Sequence, residues 1–175
     1  LAQANGLNPD ALLMIGTSLY IPEPTKRSAE ILAYVEPRGD EISDTLLDQV
    51  REASPYLTYL AIFSFEARRD GSLKAPTINP LPEIAEQNNT GIAMAITNLE
   101  DYQFSAELAR DIFQSVAVQN LLLDNIIAEA KRIGNISDIH FDFERIARDQ
   151  REAYNNFLRR AVERMHAEGY TVSTA

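Results

Sequence analysis

Two hydrophobic periods alternate along this chain, and that alternation limits its fold more than any other feature. Segments at residues 31–35, 57–63, 91–97, 136–143 and 170–175 have strand character, the first three of them largely apolar. Between them, residues 42–53, 81–87, 105–113, 116–133 and 148–168 place their apolar side chains at helical spacing. Ser43 or Asp44 is the cap candidate for the first helix, and Gly169 ends the last one. Strand and helix in this rhythm imply parallel strands joined by crossover helices, and apolar strands imply a sheet covered on both faces. A doubly wound sheet and a (β/α)8 barrel both fit. A complete barrel takes about 250 residues, so 175 residues hold little more than half of one. The expected fold class is therefore α/β. The expected form is the N-terminal part, about strands 1–5, of a barrel whose sequence stops on a strand.

The first 22 residues have a different character. Leu1 to Gly6 reads as a helix end, Asn8-Pro9-Asp10 as a turn, and Thr17 to Pro22 as a short strand closed by proline. Residues 23–29 read as a polar, proline-containing linker, and residues 30–175 as the α/β portion.

Composition narrows the function classes. A net charge of −10 would repel a phosphate backbone, so no nucleic-acid partner is expected. No apolar run reaches the roughly 18 residues of a membrane span, and residues 1–5 have neither the basic start nor the apolar core of a signal peptide. The absence of cysteine excludes a disulfide framework and a Cys-ligated zinc site.

In parallel α/β folds the chemistry gathers at the carboxyl ends of the strands. Those ends carry Glu36 and Arg38, then Ser64, then Thr97 and Asn98, then Asp142 and Glu144. The last group is the densest. A strand alternates its faces, so His140, Asp142 and Glu144 point one way while Phe141 and Phe143 point the other, toward the helices of a barrel. Neighbouring carboxylates raise each other's proton affinity, which a general acid for glycosidic cleavage requires. Spacing alone leaves other readings open: these acids could cap the next helix or pair with Arg145 and Arg148 at the surface, and the three side chains could be metal ligands. Tyr34, beside Glu36, could stack on a sugar. His166 near a helix C-terminus is accounted for by the helix dipole, and Arg68-Arg69-Asp70 by a solvated turn.

Residues Asp138 to Glu144 resemble the fourth barrel strand of family 18 glycoside hydrolases, whose pattern is Asp-x-x-Asp-x-Asp-x-Glu. Aligned on Glu144, the third Asp is Asp142, the second falls on His140 and the first on Ser137. The wider sequence resembles one branch of that family, the LysM-bearing spore-germination (cortex-lytic) N-acetylglucosaminidases. Tyr34-Val35-Glu36-Pro37-Arg38-Gly39, Ala53 to Leu60, Thr97-Asn98-Leu99-Glu100 and Val118 to Ile127 carry this resemblance, and a His at position 140 is usual in the branch. Leu1 to Leu7 with Ile15 to Pro22 resembles the second half of a LysM peptidoglycan-binding module.

The resemblance implies hydrolysis of β-1,4 bonds next to N-acetylglucosamine in spore-cortex or cell-wall peptidoglycan. In that mechanism Glu144 protonates the glycosidic oxygen, and the substrate's own acetamide attacks the anomeric carbon. Asp142 holds the acetamide and His140 hydrogen-bonds Asp142. Tyr34, Glu36, Ser64 and Asn98 are the expected substrate contacts. No metal or cofactor is expected. The partner is a peptidoglycan or chitin-like polymer, the place of action is the spore cortex or coat or the cell wall, and the full-length protein is expected to be monomeric. The alternatives are a lectin-like member without turnover, or a fragment inactive on its own.

Overall fold

The computed structural model describes residues 2, 5–8, 12–21 and 29–175. Five parallel strands form the main sheet: β1 (Leu32–Val35), β2 (Tyr59–Ala67), β4 (Gly91–Thr97), β7 (Ile136–Asp142) and β8 (Thr171–Thr174), in the order β1-β2-β4-β7-β8. The two-residue β3 (Leu73–Lys74) folds back antiparallel on β2, and β5 (Leu99–Glu100) pairs with β6 (Gln103–Phe104) as a separate hairpin. The crossovers carry α1 (Asp44–Ala53), α2 (Leu81–Gln87), α3 (Ala106–Gln114), α4 (Val116–Ile133) and α5 (Arg151–Ala167). This is the parallel α/β sheet expected from the alternating periods.

Local chemistry sets the helix bounds. Ser43, Ser105 and Ser115 cap α1, α3 and α4, each side chain accepting from the backbone N–H three residues on. Gly134, at φ 74°, ends α4 where an L side chain would be strained. The last helix begins later than the periodicity predicts, because Arg148–Gln150 form a 3-10 turn before α5.

The two faces of the sheet differ in size and polarity. Ile62 and Phe65 on β2, Ile92, Met94 and Ile96 on β4, and Ile139 and Phe141 on β7 join the apolar core beneath the helices. Phe113, Phe141, Phe143 and Phe157 pack ring to ring there, with centroids 5.4–6.2 Å apart. Each such buried ring contributes about 1.5–3 kcal/mol. The opposite face carries small or polar residues at the alternate positions: Ala61, Ala93, Ala95, Thr97, Asp138, His140, Asp142 and Ser173.

One expectation changes in the N-terminal segment. No strand forms over residues 17–21; instead the Asn5 side chain bonds the Tyr20 N–H at 2.6 Å and its C=O at 2.8 Å, supplying what a neighbouring strand would. Of the expected helix end at residues 1–6, the described residues are Ala2 and Gly6, in turns, and Asn5, in a 3-10 conformation; the rest of it lies outside the described residues. Pro22 and the expected linker at 23–28 lie outside the described residues.

Candidate active site at the carboxyl end of the sheet

A cavity of about 470 Å³ opens at the carboxyl ends of the strands, lined by Tyr34, Glu36, Phe63, Phe104, Asp142, Glu144 and Ala175. Four of the seven residues expected from sequence meet there: Tyr34, Glu36, Asp142 and Glu144. Their position follows from strand alternation, since Asp142 is the last residue of β7 and Glu144 follows it on the same side.

Asp142 is buried, and its Oδ1 has no hydrogen-bond partner. Burial pushes its carboxyl above the ordinary carboxylate range, Glu144's negative charge adds to that, and His140 opposes it. Glu144 is exposed at the cavity, and the chain turns sharply behind it at Arg145, φ 56°. Glu36 pairs with Arg38 at 2.8 Å. Neither Arg145 nor Arg148 forms an ion pair with Asp142 or Glu144, so surface pairing does not account for these acids. Among the described residues no three His, Asp or Glu side chains converge as a metal site would require.

The expected hydrogen bond from His140 to Asp142 does not form. His140 Nε2 lies 2.6 Å from the Tyr34 hydroxyl and Nδ1 lies 2.7 Å from the Ser173 hydroxyl, so both ring nitrogens are already engaged. Tyr34 and His140 sit on strands with β2 and β4 between them. On a flat sheet that is three strand spacings, roughly 14 Å, with side chains standing parallel. A 2.6 Å contact across that gap requires the sheet to curl toward this face. The Ala61, Ala93 and Ala95 side chains leave the space in between.

Two further expectations need correction. Asn98 is fully buried and offers nothing to the cavity: its Nδ2 donates to the Ser105 and Glu144 carbonyls at 2.9 and 3.0 Å, and its Oδ1 accepts from the Glu144 N–H at 3.0 Å. It holds the Glu144 backbone in place. Ser64 is not a strand end, because β2 continues to Ala67. The pairing of β2 with β4 skips Ser64, next to a cis Phe63–Ser64 peptide, and Phe63 is the residue that lines the cavity.

Sequence reading missed Phe63, Phe104, Ser173 and Asp138. Phe104 reaches the cavity from the β5–β6 hairpin, and its ring lies 6.4 Å from that of Phe63, which lies 6.2 Å from that of Tyr34. The Arg68–Gly71 turn is more than a solvated loop: the Arg69 guanidinium pairs with Glu100 of the hairpin at 2.8 Å and with Asp111 of α3. Asp138 shares the face of His140 and Asp142, which strand alternation alone would have revealed.

This fold is that of chitinase structures. A chitinase from Chromobacterium violaceum superposes with a TM-score of 0.72 over 84% of this chain and 45% of that one, at 17% identity. At a finer level the chain is a close homologue of cortex-lytic enzymes of Bacillus. It is 49% identical over 154 residues to the cortical fragment-lytic enzyme of Bacillus subtilis (strain 168), covering 88% of this chain and 36% of that protein. The crystal structure of the Bacillus cereus spore cortex-lytic enzyme SleL matches with a TM-score of 0.81 and 45% identity, over 99% of this chain and 41% of that one. The chain thus spans well under half the length of these relatives. No family model matches it.

Proposed function

We propose that this chain carries the acid end of a glycosidase that cleaves bonds next to N-acetylglucosamine in spore-cortex peptidoglycan, acting in the spore cortex or wall. The observation that carries the reading is the pairing of a buried, partly unpartnered Asp142 with an exposed Glu144 at one end of a parallel sheet, in a chain homologous to cortex-lytic enzymes. Glu144 reaches solvent and can give a proton to a leaving oxygen; its backbone is held by Asn98, which fixes where that proton is delivered. Asp142 sits two residues away on the same side, too close to flank a sugar ring as a separate nucleophile. Its free Oδ1 suits an amide N–H of the substrate. These two roles match the substrate-assisted course, in which the acetamide oxygen attacks the anomeric carbon as Glu144 protonates the departing oxygen. The curled sheet supports the reading of β1, β2, β4, β7 and β8 as part of a barrel, and residues 1–22 as part of a LysM module belong to the same proposal.

The test is Glu144→Gln in the full-length protein that contains this chain. Loss of a general acid lowers turnover by roughly 10²–10⁴-fold, read as release of N-acetylglucosamine-ended fragments from cortex peptidoglycan. Undiminished release by the variant would sink the assignment.

A further inference from the structure

Asp138 falls on an unspecified position of the acidic pattern around Glu144, yet it is 4% exposed and both of its carboxylate oxygens are in use. Oδ1 lies 2.7 Å from the Thr171 hydroxyl, which shares its one proton with the Ser137 carbonyl at 3.0 Å, and Oδ2 accepts from the Ser173 hydroxyl at 2.5 Å. No cation pairs with it among the described residues. A buried carboxylate served only by hydroxyls is costly to the fold.

Proton counting gives that position a meaning. A carboxylate only accepts, and a serine hydroxyl has one proton to give. Ser173 gives its proton to Asp138, so toward His140 Nδ1, 2.7 Å away, it can only accept. Nδ1 must then carry the ring proton. In the neutral ring Nε2 is left bare and accepts from the Tyr34 hydroxyl at 2.6 Å. The chain Tyr34, His140, Ser173, Asp138 is polarised in one direction, and the single Tyr34 proton is spent on His140. Tyr34 and Asp142 line the same cavity, so a Tyr34 proton set free could turn to Asp142 Oδ1, the atom left without a partner.

We infer that Asp138 is a positioning residue: through Ser173 it fixes His140 as the Nδ1–H tautomer and so keeps the Tyr34 hydroxyl proton away from Asp142. The consequence for turnover rests on the glycosidase reading above; the tautomer does not.

This chain holds two histidines, and in the full-length protein ring-15N-labelled histidine gives a tautomer pattern for each imidazole; His140→Gln identifies the His140 signals by difference. His140 is expected to show a protonated Nδ1 and a bare Nε2. Ser173→Ala should move the majority of His140 to the Nε2–H form, and Ser173→Thr, which keeps the hydroxyl, should restore the wild-type pattern. Asp138→Ala should act as Ser173→Ala does; should it fail to fold, the two Ser173 variants decide alone. An Nε2–H ring in the wild type, or an unchanged pattern in Ser173→Ala, overturns the inference. On cortex peptidoglycan, Ser173→Ala should lower kcat about tenfold with KM little changed, because a group acting only as the reaction proceeds is affected. A shifted tautomer with unchanged kcat also overturns the positioning role. Glu144→Gln separates the two claims, since it should lower turnover by roughly 10²–10⁴-fold and leave the His140 pattern intact.

Discussion

At the scale of single residues, Asp142 lowers the stability of the fold that holds it. Its carboxyl is buried, one oxygen is unpartnered, and burial and Glu144 raise its proton affinity in the folded state. The sign of the pH effect follows. Below the ordinary carboxylate range the group is protonated folded or unfolded and costs nothing. As pH rises from there toward the raised folded value, the unfolded chain ionises first and the folded state loses stability, a loss that persists above it. Asp142→Asn should therefore stabilise the protein by about 1 kcal/mol at pH 7, with the gain fading near pH 3. Urea midpoints at the two pH values check this, and equal gains at both would contradict it. Asp142, Glu144 and His140 were legible because a motif and a two-residue period converge on them. The bonding of His140 was not, because its partners Tyr34 and Ser173 are 106 and 33 residues away in sequence. Asp138 was legible in principle, since the same period includes it, but the acidic pattern places its first member at Ser137.

At the scale of elements, the informative signal was volume as well as hydrophobicity. The run Gly91–Thr97 reads as apolar throughout, which correctly implies a strand covered on both faces. Within it, Ile92, Met94 and Ile96 alternate with Ala93 and Ala95, so one face is bulky and the other nearly flat. The flat face gives Tyr34 and His140 room to meet. Ala95 pairs in register with His140. Ala95→Leu should therefore push the Tyr34–His140 contact apart and destabilise by about 1–3 kcal/mol, the usual cost of overpacking. Thermal denaturation measures the first effect and the His140 ring spectrum the second; a variant as stable as wild type with the wild-type spectrum would contradict it. The five strands and five helices were legible from their periods. The β5–β6 hairpin was not, because Leu99-Glu100-Asp101-Tyr102-Gln103-Phe104 is too short for a period, and its turn places Asp101 and Tyr102 at positive φ without a glycine to signal it.

At the scale of the whole molecule, β1 and β8 each have one strand neighbour among the described residues. Strand edges of that kind template pairing with other chains. The 175-residue chain by itself should self-associate in a concentration-dependent way, visible by light scattering, and Thr174→Lys on the exposed edge of β8 should reduce it. A monomer at all concentrations would show that the edges are covered. The net charge of −10 works against association, whereas the edges act locally.

The hydrogen-bond chain that begins at Tyr34 ends on β8, a four-residue strand secured on one side. Ser173 can hold His140 only while β8 stays in register with β7. Fraying of that strand therefore releases the Tyr34 proton, so the two equilibria are coupled. Whatever lends order to the β8 margin of the sheet also favours one orientation of one hydrogen atom on β1, at the other end of the strand order, and the site reports on the order of the sheet that builds it.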